Sequence, residues 1–249
     1  MAPGAPAEDG VCVHPSVRSS RWLSGSARRV ARVTRVTTAR AASRSPRRWL
    51  RGGIRLVIVV VASLVLGGLT SFAQEILPDP LRPFANSASG WTVLTALIVW
   101  RIAERTLPSA VLGLASFVAL VLGYTIASEL RGFTYSPLLF GLIGTIVGPF
   151  VGVAASWLHR TGPRAALGSG LLAGIALGEC LYGLIVVSGT TGWFYWALIG
   201  VAGIALLATT LVKRAERRAS AILGVGLTLA IAGAFFLAYS AVGAAAAAV

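Results

Sequence analysis

The sequence predicts an all-α integral membrane protein with about seven transmembrane helices. Of its residues, 56% are hydrophobic and only 12% are charged, and the mean hydropathy is +0.80. Soluble domains carry about a quarter charged residues, so this composition is typical of a chain whose solvent is lipid. The apolar residues also form seven segments, each close to the roughly 20 residues that a helix needs to cross a bilayer.

Residues 1–53 precede the first apolar segment and are rich in Pro, Ser, Ala and Arg. Their scattered apolar residues cannot build a core, so we expect a disordered, Arg-rich cytoplasmic tail. We expect its basic side chains to contact anionic lipid headgroups, and nucleic acid is not an expected partner because no aromatic platform accompanies the charge. As an alternative, Arg47 and Arg48 before an apolar segment resemble an export signal.

The transmembrane domain is predicted over residues 54–240, and residues 241–249 form an Ala-rich end. Its second span is the weakest, because Asn86, Ser87 and Ser89 occupy the first turns, and we expect it to begin as an interfacial or broken helix. The seven predicted spans are approximately 54–73, 84–102, 109–128, 137–159, 165–187, 193–212 and 220–240.

The distribution of basic residues predicts the orientation. Twelve of the 22 basic residues precede Leu56, and eight of the others fall in connections on the same side as the tail. Only Arg82 and Arg131 fall on the opposite side. The positive-inside rule therefore places the N-terminus in the cytoplasm, and an odd number of spans places the C-terminus outside. Lys213 is the one lysine, and Ala, Gly, Val and Arg are abundant. This composition indicates a high-GC bacterial genome, and we therefore expect the bacterial cell (inner) membrane as the location.

Two parts of the chain resemble each other around their polar connections. Arg-Ile-Ala-Glu-Arg and Ser-Ala-Val-Leu-Gly occur within 101–113, and Arg-Ala-Glu-Arg and Ser-Ala-Ile-Leu-Gly occur within 214–224. Ser-Gly-Trp at 89–91 similarly parallels Thr-Gly-Trp at 191–193. These matches predict a 3+1+3 parallel repeat, in which spans one to three and five to seven are copies joined by span four. Chance similarity between Ala/Leu/Gly-rich helices is the alternative.

Glu179 is a carboxylate deep inside the fifth predicted span. Hydrocarbon disfavours its charged form, so we expect a protonated side chain unless a partner or a water cavity is present, and Tyr182 is the nearest candidate partner on the same helix. In the functional hypothesis, an outward-facing polar cavity forms around Glu179. In the alternative, Glu179 is a neutral acid hydrogen-bonded between helices. The candidate substrate-binding residues are Glu179, Tyr182, Tyr124, Glu129, Asn86, Gln74 and Glu75.

Glycines recur at helical spacing in the fourth and fifth predicted spans. Small residues let helix backbones approach closely in lipid, where no hydrophobic force drives helices together. We therefore expect a helix-packing role for Gly141, Gly144, Gly148, Gly152, Gly170, Gly174 and Gly178.

Catalytic and metal-binding motifs are absent from the sequence. It contains no HExxH, GxSxG or GxxxxGK[ST] motif, and neither Cys12 and Cys180 nor His14 and His159 have metal-ligand spacing. We therefore expect no enzyme activity, no catalytic residue, no metal and no cofactor.

Several polar and glycine-containing runs stand out among the apolar segments. They are Leu-Arg-Pro-Phe-Ala-Asn-Ser-Ala-Ser-Gly-Trp at 81–91, Tyr-Ser-Pro at 135–137, Gly-Pro-Phe-Val-Gly at 148–152, and Gly178-Glu179. Together they resemble an uncharacterised family of actinobacterial multi-pass membrane proteins over about residues 54–240. The resemblance implies localisation and span pattern, and no activity. In size and outward polar face the chain is also loosely similar to the substrate-binding membrane subunits of energy-coupling-factor vitamin transporters, which typically have six spans.

Two function hypotheses follow. The first is a transporter-like protein that binds a small solute or ion in an outward-facing polar cavity around Glu179. The alternative is a non-transporting membrane scaffold or partner subunit of a membrane complex. In that alternative, the glycine faces bind a membrane protein partner or a second copy of the chain, and the tail binds lipid.

Overall fold

A computed structural model describes residues 46–102 and 105–247 of the chain, with side chains described within 50–102 and 105–243. The chain divides into two units, Met1–Leu50 and Arg51–Val249. Of the first unit only residues 46–50 are described, and they are helical. The predictions for residues 1–45 therefore lie outside the described residues. The predicted tail boundary at residue 53 falls inside a helix that begins at Pro46.

The described part of the chain is helical and contains no strand. A 3₁₀-helix, Asp79–Asn86, precedes the second α-helix, and a π-helical turn, Gly183–Val187, joins the fifth to the sixth. The α-helices are α1 (Pro46–Ile76), α2 (Ala88–Ile102), α3 (Thr106–Leu130), α4 (Leu138–Trp157), α5 (Pro163–Tyr182), α6 (Ser188–Thr191), α7 (Phe194–Arg214) and α8 (Arg218–Ala247).

Six helical segments of the described chain are long and apolar enough to cross a membrane, namely α1, α3, α4, α5 continued through α6, α7 and α8. Leu69, Ile126 and Leu229 on these helices are more than half exposed, as a lipid-facing surface requires. The chain is therefore a multi-pass membrane protein. The predicted count of seven spans is not confirmed, because α2 has 15 residues. At 1.5 Å per residue, α2 covers about 22 Å of a hydrocarbon core about 30 Å thick.

Helices α1 and α3 meet backbone to backbone at glycines. A methyl group at Gly67 of α1 would collide with the backbone carbonyl of Leu120, and one at Gly123 of α3 would collide with that of Leu64. The buried hydroxyls of Ser63 and Ser116 hydrogen-bond across the same interface at 2.8 Å. These are the small-residue packing and interhelical hydrogen bonds by which helices associate in lipid.

The helix ends sort into two faces of the bundle. At one face, Trp157 at the end of α4 donates a hydrogen bond to Thr106 at the start of α3. Arg214 at the end of α7 donates to the carbonyl of Leu158 at the same face. We call it the basic end, because it carries the basic residues of the connections, which are Arg101, Arg105, Arg160, Arg164, Lys213, Arg214, Arg217 and Arg218. The other face, which we call the outer end, contains the end of α1, the 3₁₀-helix and the start of α7.

Candidate functional site

The carboxylate of Glu179 contacts the first turn of another helix. Glu179 lies on α5 and is 3% exposed. Its Oε1 accepts a hydrogen bond of 2.8 Å from the backbone N–H of Ala88, and its Oε2 accepts one of 2.6 Å from that of Ser89. These two residues begin α2, so a side chain of α5 caps the N-terminus of α2. The partner of this buried acid is therefore a helix N-terminus.

Every backbone N–H in the first turn of α2 has a partner. The first four N–H groups of a helix have no acceptor within the helix itself. Glu179 accepts from the first two, and the Ser87 hydroxyl accepts from Gly90 at 2.8 Å. The Ser87 carbonyl accepts from Trp91 at 3.2 Å. The positive end of the helix dipole partly offsets the cost of burying a carboxylate there.

The chain reaches this first turn through a tight break, residues 84–90. A methyl group at Gly90 would collide with the carbonyl oxygen of Phe84, so glycine is required for the 3₁₀-helix to lie this close to α2. The indole N–H of Trp91 donates to the carbonyl of Ala85 at 3.3 Å. The Ser87 hydroxyl also lies 2.5 Å from the hydroxyl of Tyr195 on α7. The break is thus held by Glu179 of α5, Trp91 of α2 and Tyr195 of α7.

A cleft of about 710 Å³ lies at the outer end, and we call it the polar cleft. Its volume is in the range of sites for small molecules, about 300–1,000 Å³. Asp79 and Arg82 on its wall form an exposed ion pair at 2.5 Å. The residues that line it are Gln74, Asp79, Pro80, Arg82, Pro83, Asn86, Thr190, Thr191, Gly192, Trp193 and Phe194.

A family model described as a family of unknown function, DUF6518, matches residues 46–244. The chain belongs to this family. The matched region begins where α1 begins and contains Glu179, the break and the polar cleft. The resemblance to an uncharacterised family is thereby confirmed for these residues. No curated protein and no solved structure matches the chain.

Within this DUF6518 chain, three of the predicted substrate-binding residues come together at the outer end. Gln74 and Asn86 line the polar cleft. The side-chain amide of Gln74 donates a 2.8 Å hydrogen bond to the hydroxyl of Tyr124 on α3. The buried ring of Tyr124 in turn packs against Trp91 of α2, with ring centroids 5.6 Å apart.

The remaining predicted residues have other surroundings. Glu75 forms an ion pair with Arg131, and Glu129 is exposed near the end of α3. The ring of Tyr182 packs edge-on against Tyr239 of α8, with centroids 5.5 Å apart. Tyr182 therefore faces α8, and the hydrogen bonds of Glu179 go to α2 instead of to Tyr182. Glu179 itself is absent from the lining of the polar cleft.

Six of the predicted packing glycines lie against a neighbouring helix. Gly144 faces the ring of Phe117, and added methyl groups at Gly148 and Gly152 would press on α3. Such groups at Gly170, Gly174 and Gly178 would press on α8. Gly141 differs, because no atom of a neighbouring element lies within 4 Å of the position that its methyl group would occupy.

Ser87, Ala88 and Tyr195 are not among the predicted site residues. Ser87 carries a local signal, since serine is a favoured N-cap and here precedes an apolar helix. The contact of Ser87 with Tyr195, 108 residues away, has no signal in the sequence.

In the connection between α3 and α4, burial and the neighbouring Tyr124 raise the pKa of Tyr135, so its phenol stays neutral at ordinary pH. Among the described residues, no group of three or more His, Cys, Asp and Glu side chains could hold a metal ion.

Proposed function

We propose that this membrane protein binds a small polar solute in the polar cleft, in the manner of a transporter, and that Glu179 positions the floor of that cleft. One observation carries the proposal. Asn86 lines the cleft, and the next residues in the chain, Ser87 to Ser89, form the helix start that Glu179 holds. Helices that are broken inside the membrane form the substrate sites of many secondary transporters.

The chemistry of the cleft wall supports a polar ligand. Gln74 and Asn86 offer amide groups, and Trp193 offers an aromatic face. The hydroxyls of Thr190 and Thr191 donate to the carbonyl of Val187 and offer their oxygens as acceptors. A few polar groups in a concave site fix the orientation of a ligand, while the surrounding apolar and aromatic surface covers it. The ligand therefore binds away from Glu179, because both oxygens of Glu179 already accept hydrogen bonds from α2. Glu179 has a positioning role instead.

The order of contacts supports seven crossings, of which the second is broken. Trp100 near the end of α2 stacks on His159 at the basic end, with ring centroids 5.1 Å apart. Asn86, two residues before α2, lines the cleft at the outer end. The 3₁₀-helix and α2 together therefore lead from one face to the other. The basic end is then cytoplasmic by the positive-inside rule, with the N-terminus inside and the C-terminus outside.

Packing supports the proposed repeat of spans one to three in spans five to seven. Gly67 of α1 lies against Leu120 of α3, and Gly174 of α5 lies against Ile231 of α8. The match of Gly113 with Gly224 places Leu120 in register with Ile231, 111 residues later. In each proposed copy, a glycine of the first helix thus contacts a corresponding residue of the third helix. Because a single span connects the two copies of three, both copies would have the same orientation in the membrane.

Thermal unfolding of the purified full chain in detergent tests the proposal. A panel of amino acids, sugars, nucleosides and organic acids is added, and at 100 times its Kd a bound solute stabilises by about 2.7 kcal/mol. We expect at least one of these solutes to raise the unfolding temperature. Asn86→Ala and Thr190→Ala are expected to abolish the shift, whereas Glu129→Gln, which changes an exposed residue outside the cleft, is expected to retain it.

Two results would contradict solute binding. One is that no solute shifts the unfolding temperature of the unmodified chain. The other is that every shift persists in Asn86→Ala and Thr190→Ala. Either result would favour the scaffold or partner-subunit hypothesis, which requires no ligand in the cleft.

A further inference from the structure

A second cavity lies between α2 and α7, away from the polar cleft, and we call it the lateral groove. Its volume is about 510 Å³. Leu172, Ile175 and Ala176 of α5 form its floor. One wall is α2 and the other is α7, and both helices pack on α5. The groove is therefore a gap between two helices on the side of the bundle that faces lipid.

The groove is apolar along most of its length. Its α2 wall runs from Ser89 to Trp100, about 16 Å at the rise of an α-helix, and its α7 wall runs from Tyr195 to Arg214, about 28 Å. At its limit toward the outer end are Phe84 and Tyr195, whose rings pack edge to face with centroids 6.4 Å apart. Each leaflet supplies about half of a hydrocarbon core that is about 30 Å thick. The lateral groove is therefore long enough for an acyl chain that enters from the leaflet at the basic end.

Positive charge lies at the other limit of the groove. Lys213 and Arg214 line it there, beside Trp100 and Leu158. The guanidinium of Arg214 is held in place by a 2.6 Å hydrogen bond to the carbonyl of Leu158. Lys213 is exposed. Both residues belong to the basic end, where the headgroups of the adjacent leaflet would lie.

We propose that the lateral groove binds one acyl chain of an anionic phospholipid from the leaflet at the basic end, with the phosphate against Lys213 and Arg214. The groove is apolar and long enough for an acyl chain, and the charge of Lys213 and Arg214 at its mouth complements an anionic headgroup. Acyl chains in a bilayer already have hydrocarbon around them, so the charge at the mouth, and not apolar burial, gives the selectivity.

Native mass spectrometry of the full chain in detergent, titrated with phosphatidylglycerol or with phosphatidylcholine, tests this site. We expect one phosphatidylglycerol to bind per chain and phosphatidylcholine to bind at least about fivefold more weakly. Lys213→Ala is expected to weaken phosphatidylglycerol binding about fivefold, which corresponds to roughly 1 kcal/mol for one basic side chain near an anionic surface. Arg217→Ala removes a neighbouring positive charge outside the groove and is expected to leave binding unchanged.

A second pair of variants tests the apolar part of the groove. Ala202→Trp places an indole in the groove and is expected to abolish the bound lipid. Ala205→Trp adds the same side chain at an exposed position of α7 outside the groove and is expected to retain it. Equal binding of the two lipids, or equal binding by the two tryptophan variants, would overturn the proposal. So would a dimer of the chain that Ala202→Trp dissociates, because a helix of a second copy would then occupy the groove.

Discussion

The carboxylate of Glu179 and the backbone N–H of Ser89 lie 2.6 Å apart, although 90 residues separate them in the sequence. Serine, threonine, asparagine or aspartate within the chain segment usually caps a helix start. Here a local serine, Ser87, takes one N–H group and a distant glutamate takes two. Glu179 and Ser89 are both buried, so solvent does not readily supply a replacement for a lost acceptor.

Replacement of Glu179 therefore tests the cap. Glu179→Ala leaves the N–H groups of Ala88 and Ser89 without acceptors, and each buried unsatisfied group costs about 1–3 kcal/mol. We expect Glu179→Ala to lower the free energy of unfolding by at least about 2 kcal/mol. Glu179→Gln retains one acceptor oxygen and is expected to lose about half as much. Reversible unfolding in mixed detergent measures both.

The matched control is Glu129→Gln, which removes the charge of an exposed glutamate. Surface substitutions of this kind usually change the free energy of unfolding by less than about 0.5 kcal/mol. A Glu179→Ala protein as stable as this control would show that α2 does not depend on the cap.

Two arginines at the outer end differ in what their replacement should cost. The side chain of Arg131 is 13% exposed, donates to the carbonyl and hydroxyl of Ser71, and pairs with Glu75. The side chain of Arg82 is 53% exposed and pairs with Asp79. We expect Arg131→Ala to lower the free energy of unfolding by about 2–3 kcal/mol, because it breaks several charge-assisted hydrogen bonds at once.

Arg82→Ala is expected to cost under about 1 kcal/mol, as exposed ion pairs do. The same unfolding measurement compares the two variants under identical conditions. Equal losses for Arg82→Ala and Arg131→Ala would mean that burial of the arginine does not set its contribution.

Much of this architecture is readable from the sequence. Helical periodicity and hydropathy locate six crossing helices, because lipid imposes a length and an apolar surface on each. The polar residues Asn86, Ser87 and Ser89 also mark where the second segment breaks. By contrast, the partner of Glu179 is a pair of backbone N–H groups, which every residue except proline carries, so no side-chain pattern indicates it.

The glycines show the same limit of prediction from sequence. Spacing alone predicts seven packing glycines. It does not distinguish Gly141, which has open space beside it, from Gly152, where an added methyl group would collide with Ser109 and Gly113. Which face of a helix meets a neighbour depends on how the whole bundle assembles. The lateral groove also depends on assembly, since it exists only because α2 and α7 both pack on α5 without closing against each other.

Alanine substitution of glycines tests this packing. A methyl group at Gly67 would collide with the backbone of Leu120, so Gly67→Ala is expected to lower the free energy of unfolding by about 1–3 kcal/mol. Gly141→Ala has open space and is expected to be neutral or to stabilise by up to about 1 kcal/mol, because alanine favours helix. If Gly141→Ala destabilises as strongly as Gly67→Ala, the α1–α3 contact is not the reason for the loss at Gly67.

Labelling of single cysteines in intact cells with a membrane-impermeant maleimide tests the central claim, a polar cleft open to the outside above a cytoplasmic basic end. Cys12 and Cys180, the two native cysteines, are first replaced by serine and alanine. A cysteine at Asn86, in the cleft, is then expected to react in intact cells. One at Arg217, at the basic end, is expected to react only after lysis. Labelling of Arg217→Cys from outside, or protection of Asn86→Cys in intact cells, would contradict the account.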